Sequence, residues 1–164
     1  MKILGIDPGY DRLGIAVIEK QKKGKEIVLY SDCLQTSSKE SIYKRFLDIG
    51  NEVSRVLEKF QPDAVAIETL FITKNQKTAM RVSEVRGIVI YEAVKRGIPV
   101  SEYSPMQVKM AITGDGTSDK KMMIKMVPLL VKISSKAVID DEYDAIAVAL
   151  THSARNYPQL VLQK

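Results

Sequence analysis

The order of the segments restricts the fold of this chain most. Three strand-like apolar runs come first, and helix-length and strand-length segments alternate after them. Residues 2–7, 13–20 and about 27–34 read as strands, with the polar stretch Gln21-Lys22-Lys23-Gly24-Lys25 as the turn before the third. Strands so close in sequence predict an antiparallel meander. Ser37 with Glu40 has capping-box spacing, so a helix is expected to start there. Its buried stripe is Ile42, Phe46, Ile49, Val53, Val56 and Phe60, and Pro62-Asp63 ends it. Residues 64–70 form a short apolar run holding one charge, Glu68, and read as a buried strand. A long helix over 78–95 closes at Gly97 and Pro99. Val100–Tyr103 is a short strand, and Ser104-Pro105 opens a helix. After Gly114-Asp115-Gly116 comes a Met-rich helical segment, 120–131, which Pro128 should kink or split. The last helix runs from about Asp141 to Arg155.

This β-β-β-α-β-α-β-α-α order predicts an α/β protein. Its five-stranded mixed sheet has three antiparallel strands followed by parallel ones, flanked by helices. If the strand at 64–70 lies parallel to and beside the first, their carboxyl ends meet where open α/β sheets place their sites. The 164 residues suit one domain, and 45% hydrophobic with 27% charged residues is a globular composition. No run approaches the roughly 20 apolar residues of a membrane helix. Ile3-Leu4-Gly5-Ile6 is cut short by Asp7 before it could serve as a signal-peptide core. A cytoplasmic protein is expected, with the single Cys33 a buried, reduced thiol. The net charge of +5 favours a polyanionic partner only weakly by itself. It gains weight if several carboxylates are committed to a metal.

Four carboxylates stand in unusual places. Asp7 ends the first strand in Gly5-Ile6-Asp7-Pro8-Gly9, where a plain turn role is also open to it. Glu68 interrupts Ala64-Val65-Ala66-Ile67, and a carboxylate in a buried strand needs a salt bridge or a metal. Asp141 and Asp144, three apart, share one face at the start of the last helix. Helix capping accounts for Asp140 or Asp141 but not for Asp144, which lies past the first turn. Clustered like charges destabilise a fold unless a cation joins them. An all-oxygen set with a single histidine, His152, points to Mg²⁺ or Mn²⁺ rather than zinc.

These segments resemble the RuvC Holliday-junction resolvases of the RNase H-like nuclease and integrase superfamily. The likeness rests on Gly5-Ile6-Asp7-Pro8-Gly9 with Gly14, on Ala66-Ile67-Glu68-Thr69-Leu70-Phe71, and on Asn75 with Arg86-Gly87. It continues in Glu102-Tyr103, Gln107-Val108-Lys109, Gly116-Thr117-Ser118-Asp119-Lys120 and the run from Asp141 to His152. The resemblance implies an RNase H-like nuclease domain over 1–156 with a C-terminal tail at 157–164. It implies that Asp7, Glu68, Asp141 and Asp144 are the catalytic metal ligands, holding two Mg²⁺ ions per subunit with Mn²⁺ as a substitute. Phe71 is expected to stack on unpaired bases. Lys109 and Lys120 are expected near the scissile phosphate, and Lys74, Lys77 and Arg81 on the DNA backbone. All five also read as ordinary solvated charges. Met106 and Pro128 depart from the family pattern, and His152 reads as structural.

The function implied is symmetric, metal-dependent nicking of two like-polarity strands of a four-way DNA junction, in recombination and repair. A homodimer would match the two-fold symmetry of the junction. The long helix, apolar on more than one face, suits burial against both sheet and partner, and Gly87 suits close packing there. A branch-migration complex of RuvA and RuvB type is a further implied partner. Two alternatives remain: another RNase H-like nuclease of the RNA-processing type, and a junction-binding module without catalysis. An actin- or hexokinase-like phosphotransferase needs two such domains, more than 164 residues supply.

Overall fold

A computed structural model of the chain describes residues 1–70, 76–133 and 140–155. Phe71, Lys74 and Asn75, and the tail at 157–164, lie outside the described residues. Strands β1 (Lys2–Asp7), β2 (Arg12–Glu19) and β3 (Glu26–Gln35) form the expected antiparallel meander. Strand β4 (Ala64–Glu68) lies parallel to β1, and β5 (Val100–Tyr103) parallel to β4. A sixth strand, β6 (Val131–Ile133), adds to β3 in parallel, so the order is β5-β4-β1-β2-β3-β6 rather than five strands. Three residues following directly on a helix are too short for periodicity to reveal, and Val131 is both helix cap and first strand residue.

The helices are α1 (Ile42–Phe60), α2 (Gln76–Lys95), α3 (Pro105–Thr113), α4 (Lys120–Leu130) and α5 (Asp140–Ala154). Helix α1 starts four residues later than the Ser37–Glu40 spacing suggests. Its cap is Ser41, which accepts from the Lys44 amide, while the Ser37 hydroxyl accepts from Lys39 in a preceding turn. Ser104 closes a full capping box with Gln107 around Pro105. Pro128 does not split α4. The helix runs through it and ends two residues later, near enough to its end that few intrahelical bonds are affected.

Alternation along the strands sorts side chains into two cores. Leu4, Ile6, Val65 and Ile67 pack with α1 and α2. Ile3, Ala16 and Ala66 pack with α3, α4 and α5. Asp7 continues the odd-numbered face of β1 and Glu68 the Ala66 face of β4, so both point to the α5 side. Ile6 and Ile67 are parallel partners, which sets the two acids side by side at adjacent strand ends. Helix α5 can lie this low only because Gly5 and Gly14 have no side chain. A Cβ on Gly5 would meet the Ala145 carbonyl at 2.2 Å, and one on Gly14 the Asp141 carbonyl at 2.3 Å. A Cβ on Gly87, by contrast, would meet nothing within 4 Å among the described residues, so the close packing anticipated there is not seen against them. Among the described residues no helix is long and apolar enough to cross a membrane.

Replacing Gly5 by alanine puts a methyl group into backbone that cannot yield without moving α5. Gly5→Ala is therefore expected to lose about 2–4 kcal/mol of unfolding free energy in urea titration. A loss under about 0.5 kcal/mol would show that the close helix–strand approach is not a constraint.

Candidate active site

The site is a cavity of about 240 Å³ lined by Asp7, Glu68, Asp144, Lys109, Lys120, Pro105, Val108 and Met123. Three structural levels meet in it. Asp7 and Glu68 come from the carboxyl ends of β1 and β4, and Asp144 comes down from the first turns of α5. Lys109 projects from α3, and Lys120 from the first turn of α4 just past its cap, Asp119. Asp7, Glu68 and Asp144 thus converge as the sequence suggests, with two ammonium groups opposite them.

Packing and repulsion both act on these acids. Burial, together with the charges of Asp144 and Asp141, pushes Asp7 up from an ordinary 3.8 to about 7, and Lys120 opposes this. Burial, then the charges of Asp7 and Asp144, raise Glu68 to about 8 against the pull of Lys109. Asp144 pairs with Lys120 at 3.0 Å, yet it too lies above its usual range, because burial outweighs the hydrogen bond and the lysine's charge. Lys120 is held above its own usual value: desolvation works against its charge, but the bond to Asp144 prevails. Among the described residues no three acidic, histidine or cysteine side chains form a ready-made metal-binding group. The carboxylates are near enough to perturb one another, while Lys120 takes the place of a cation on Asp144. Three hard oxygen donors of one sign, electrically frustrated and facing one cavity, fit a divalent cation such as Mg²⁺.

Asp141 is placed differently from the other three acids. It does not line the cavity; its carboxylate pairs with Arg12 at 3.2 Å and accepts from the Cys33 thiol at 3.6 Å. Neither Arg12 nor Cys33 carried a site expectation. The register holds the signal: Asp7, Gly14 and Cys33 are consecutive cross-strand partners, leaving one row beneath Asp141. Burial and the nearby Asp141 raise the Cys33 thiol to about 11, as suits a buried reduced cysteine. Of the DNA-contact candidates on α2, Lys77 is exposed and Arg81 pairs with Glu84 along the helix at 2.9 Å. His152 bonds Tyr103 through Nδ1 at 2.8 Å, and burial lowers its pKa, in keeping with a structural role.

Comparison with known proteins points one way. The sequence profile of the family "Crossover junction endodeoxyribonuclease RuvC" matches residues 3–152. A Thermosipho melanesiensis protein of that description is 47% identical over 150 residues, covering 91% of this chain and 94% of the relative. "T. thermophilus RuvC in complex with Holliday junction substrate" superposes with a TM-score of 0.86 at 35% identity, covering 93% of each chain. The yeast mitochondrial Holliday junction resolvase Ydc2 shares the fold at a TM-score of 0.67 and 16% identity, covering 92% of this chain and 77% of that one.

The raised acids make stability depend on pH with a definite sign. Asp7 at about 7 and Glu68 at about 8 keep protons that the unfolded chain has lost. Their contribution to stability is complete below about pH 4 and is lost as pH rises through 7 to 8. In urea titrations without divalent cations, Asp7→Asn should be more stable than the parent at pH 8.5 by about 1–3 kcal/mol, with the advantage shrinking towards pH 5. An advantage independent of pH would contradict the electrostatic account.

Proposed function

Because the chain belongs to the RuvC family of crossover junction endodeoxyribonucleases, we propose that it resolves four-way DNA junctions, hydrolysing one phosphodiester in each of two strands of like polarity. The observation that carries this reading is the convergence of Asp7, Glu68 and Asp144 with Lys109 and Lys120 around one cavity at the carboxyl edge of the sheet. The ionised forms of these acids would hold Mg²⁺, two ions per subunit, with Mn²⁺ as a substitute and Asp141 as a fourth ligand or an orienter of water. When bound, such ions supply Lewis acidity for hydrolysis and offset charge on the phosphodiester.

The chain's own groups do the rest. Asp7 and Glu68 approach neutral pH partly protonated, so taking up a cation means giving up protons to solvent. Asp144 must exchange Lys120 for the cation, which frees that ammonium to meet a phosphate oxygen. Lys109 sits across from Glu68 and would offset charge that builds on the phosphate in the transition state. Val108, Met123 and Pro105 wall the cavity with apolar surface, where such charge interactions are stronger than in water.

Phe71 as a stacking residue and Lys74, Lys77 and Arg81 as backbone contacts complete the proposed DNA surface. A two-fold junction calls for two sites, and the chain has surface for a partner copy. Tyr43 and Leu47 of α1 and Met80, Tyr91 and Val94 of α2 are exposed apolar side chains on the packed helix pair. We assign the nuclease domain to 1–156 and a tail to 157–164, and place the dimer in the cytoplasm beside a branch-migration complex of RuvA and RuvB type.

A synthetic four-way junction incubated with Mg²⁺ should be nicked at symmetric positions in two strands, while an RNA–DNA hybrid of equal length stays intact. Asp7→Asn should slow single-turnover nicking by about 10³-fold or more while junction affinity in gel shifts stays within a few-fold. Normal cutting by Asp7→Asn, or cleavage of the hybrid alone, would overturn the assignment.

A further inference from the structure

Arg12 stands at the start of β2, two residues before Gly14, the cross-strand partner of Asp7, and the reaction as described leaves it without a task. Its Nη1 lies 3.2 Å from Asp141 Oδ2, and the Cys33 thiol donates to that same oxygen at 3.6 Å. One oxygen therefore carries two donors, both drawing Asp141 across β2 towards β3 and off the cavity. The backbone of Asp141 cannot follow, because its carbonyl rests on Gly14 with no room for even a Cβ. Rotation of the side chain is the freedom that remains. Rotated the other way it reaches the Asp7 side, since Gly14 and Asp7 are direct cross-strand partners and Asp141 shares a helix face with Asp144.

The two members of the pair differ in exposure. The Asp141 side chain is 18% exposed and the Arg12 side chain 54%. The guanidinium is half exposed, its remaining donors meet no partner among the described residues, and its planar fork matches a phosphate. A half-exposed ion pair of this kind contributes little to stability, so a polyanion can exchange it readily. Moving Asp141 inward without cations would crowd a fourth carboxyl group against Asp7, Glu68 and Asp144, which already share one cavity.

We infer that Arg12 is a substrate-sensitive latch: it holds Asp141 outside the cavity in the DNA-free protein and releases it when a DNA phosphate takes over the guanidinium. The metal site is then completed on the substrate rather than ahead of it. Arg12 acts as a positioning residue, through Asp141. The inference rests on the reading of Asp7, Glu68 and Asp144 as metal ligands.

The test is a Mn²⁺ titration of the DNA-free protein, followed by the electron paramagnetic resonance of free Mn²⁺. Arg12→Gln should bind Mn²⁺ about three- to fivefold more tightly than the parent, and the gain should vanish in Arg12→Gln/Asp141→Asn compared with Asp141→Asn alone. Unchanged or weaker Mn²⁺ binding by Arg12→Gln would overturn the latch. So would a gain that survives in the Asp141→Asn background, since it would reflect removal of a positive charge alone. Unaltered Mn²⁺ binding in Asp7→Asn would instead remove the metal site itself, a separable failure.

Discussion

Helix α5 touches β1 and β2 backbone to backbone, and the placement of every acid at the site depends on that contact. Gly5 admits the Ala145 carbonyl and Gly14 the Asp141 carbonyl at distances no Cβ would tolerate. A helix normally stands off a sheet by the thickness of two layers of side chains. Here the layer is missing at two points, so Asp144 descends to the level of strand-end acids. Small residues on α5 itself complete the fit: Ala145 and Ala149 are fully buried against the sheet. Glycine and alanine in this row contribute little apolar burial. Their contribution is position, and the larger side chains along β1, β2 and α5 supply the cohesion.

Close approach brings a second force with it. Three carboxylates under one helix are desolvated together, and neighbouring charge adds to burial in raising each one's proton affinity: Asp144 and Asp141 act on Asp7, Asp7 and Asp144 on Glu68, and Asp141 and Asp140 on Asp144. The metal-free protein relieves this in two ways, by holding protons on Asp7 and Glu68 and by resting the Lys120 ammonium on Asp144. Both are exchangeable. A proton leaves to solvent and a lysine on a helix end swings away, whereas a buried arginine pair would have to be broken at a much larger loss. The contrast is visible nearby. Arg45 is buried and bonded to Thr36, the Tyr10 carbonyl and Asp11, fixing the turn that follows Asp7. Permanent pairing is used for the scaffold and loose pairing for the site.

The same division explains what could be read from the chain itself. Glu68 was legible because a charge interrupting a buried strand needs a salt bridge or a metal, whereas Asp7, to which a plain turn role was open, gained weight only beside the other acids. Their adjacency followed from a meander plus a crossover, and the register of β1 against β4 bears it out. Asp144 was legible because capping could not account for it. Asp141 shows the limit. Spacing puts it on the same helix face as Asp144, but its rotamer is decided by Arg12 and Cys33, residues far apart in sequence and unremarkable in type. The true start of α1 was hidden because Ser37 and Ser41 are both good caps: Ser41 caps the helix while Ser37 closes a turn before it. β6 was missed because three residues cannot show a period.

The sheet also separates stability from chemistry by face. Even-numbered positions of β1, Leu4 and Ile6, enter an aliphatic core with α1 and α2. Odd-numbered positions, Ile3, Gly5 and Asp7, pass from core to close contact to carboxylate along one edge of the other face. A single strand with a two-residue period can therefore bury large aliphatics on one side while carrying strain and repulsion at the end of the other. The repulsive acids sit where the strand is leaving the core, at its last residue, so their charges disturb few apolar contacts. Displaced one residue along either strand, Asp7 or Glu68 would flip to the α1–α2 face and bury a charge among Ile6, Ile67 and Val89 with neither lysine nor cavity to receive it. Register, more than the identity of any neighbouring residue, is what makes a cluster of acids tolerable in so small a domain.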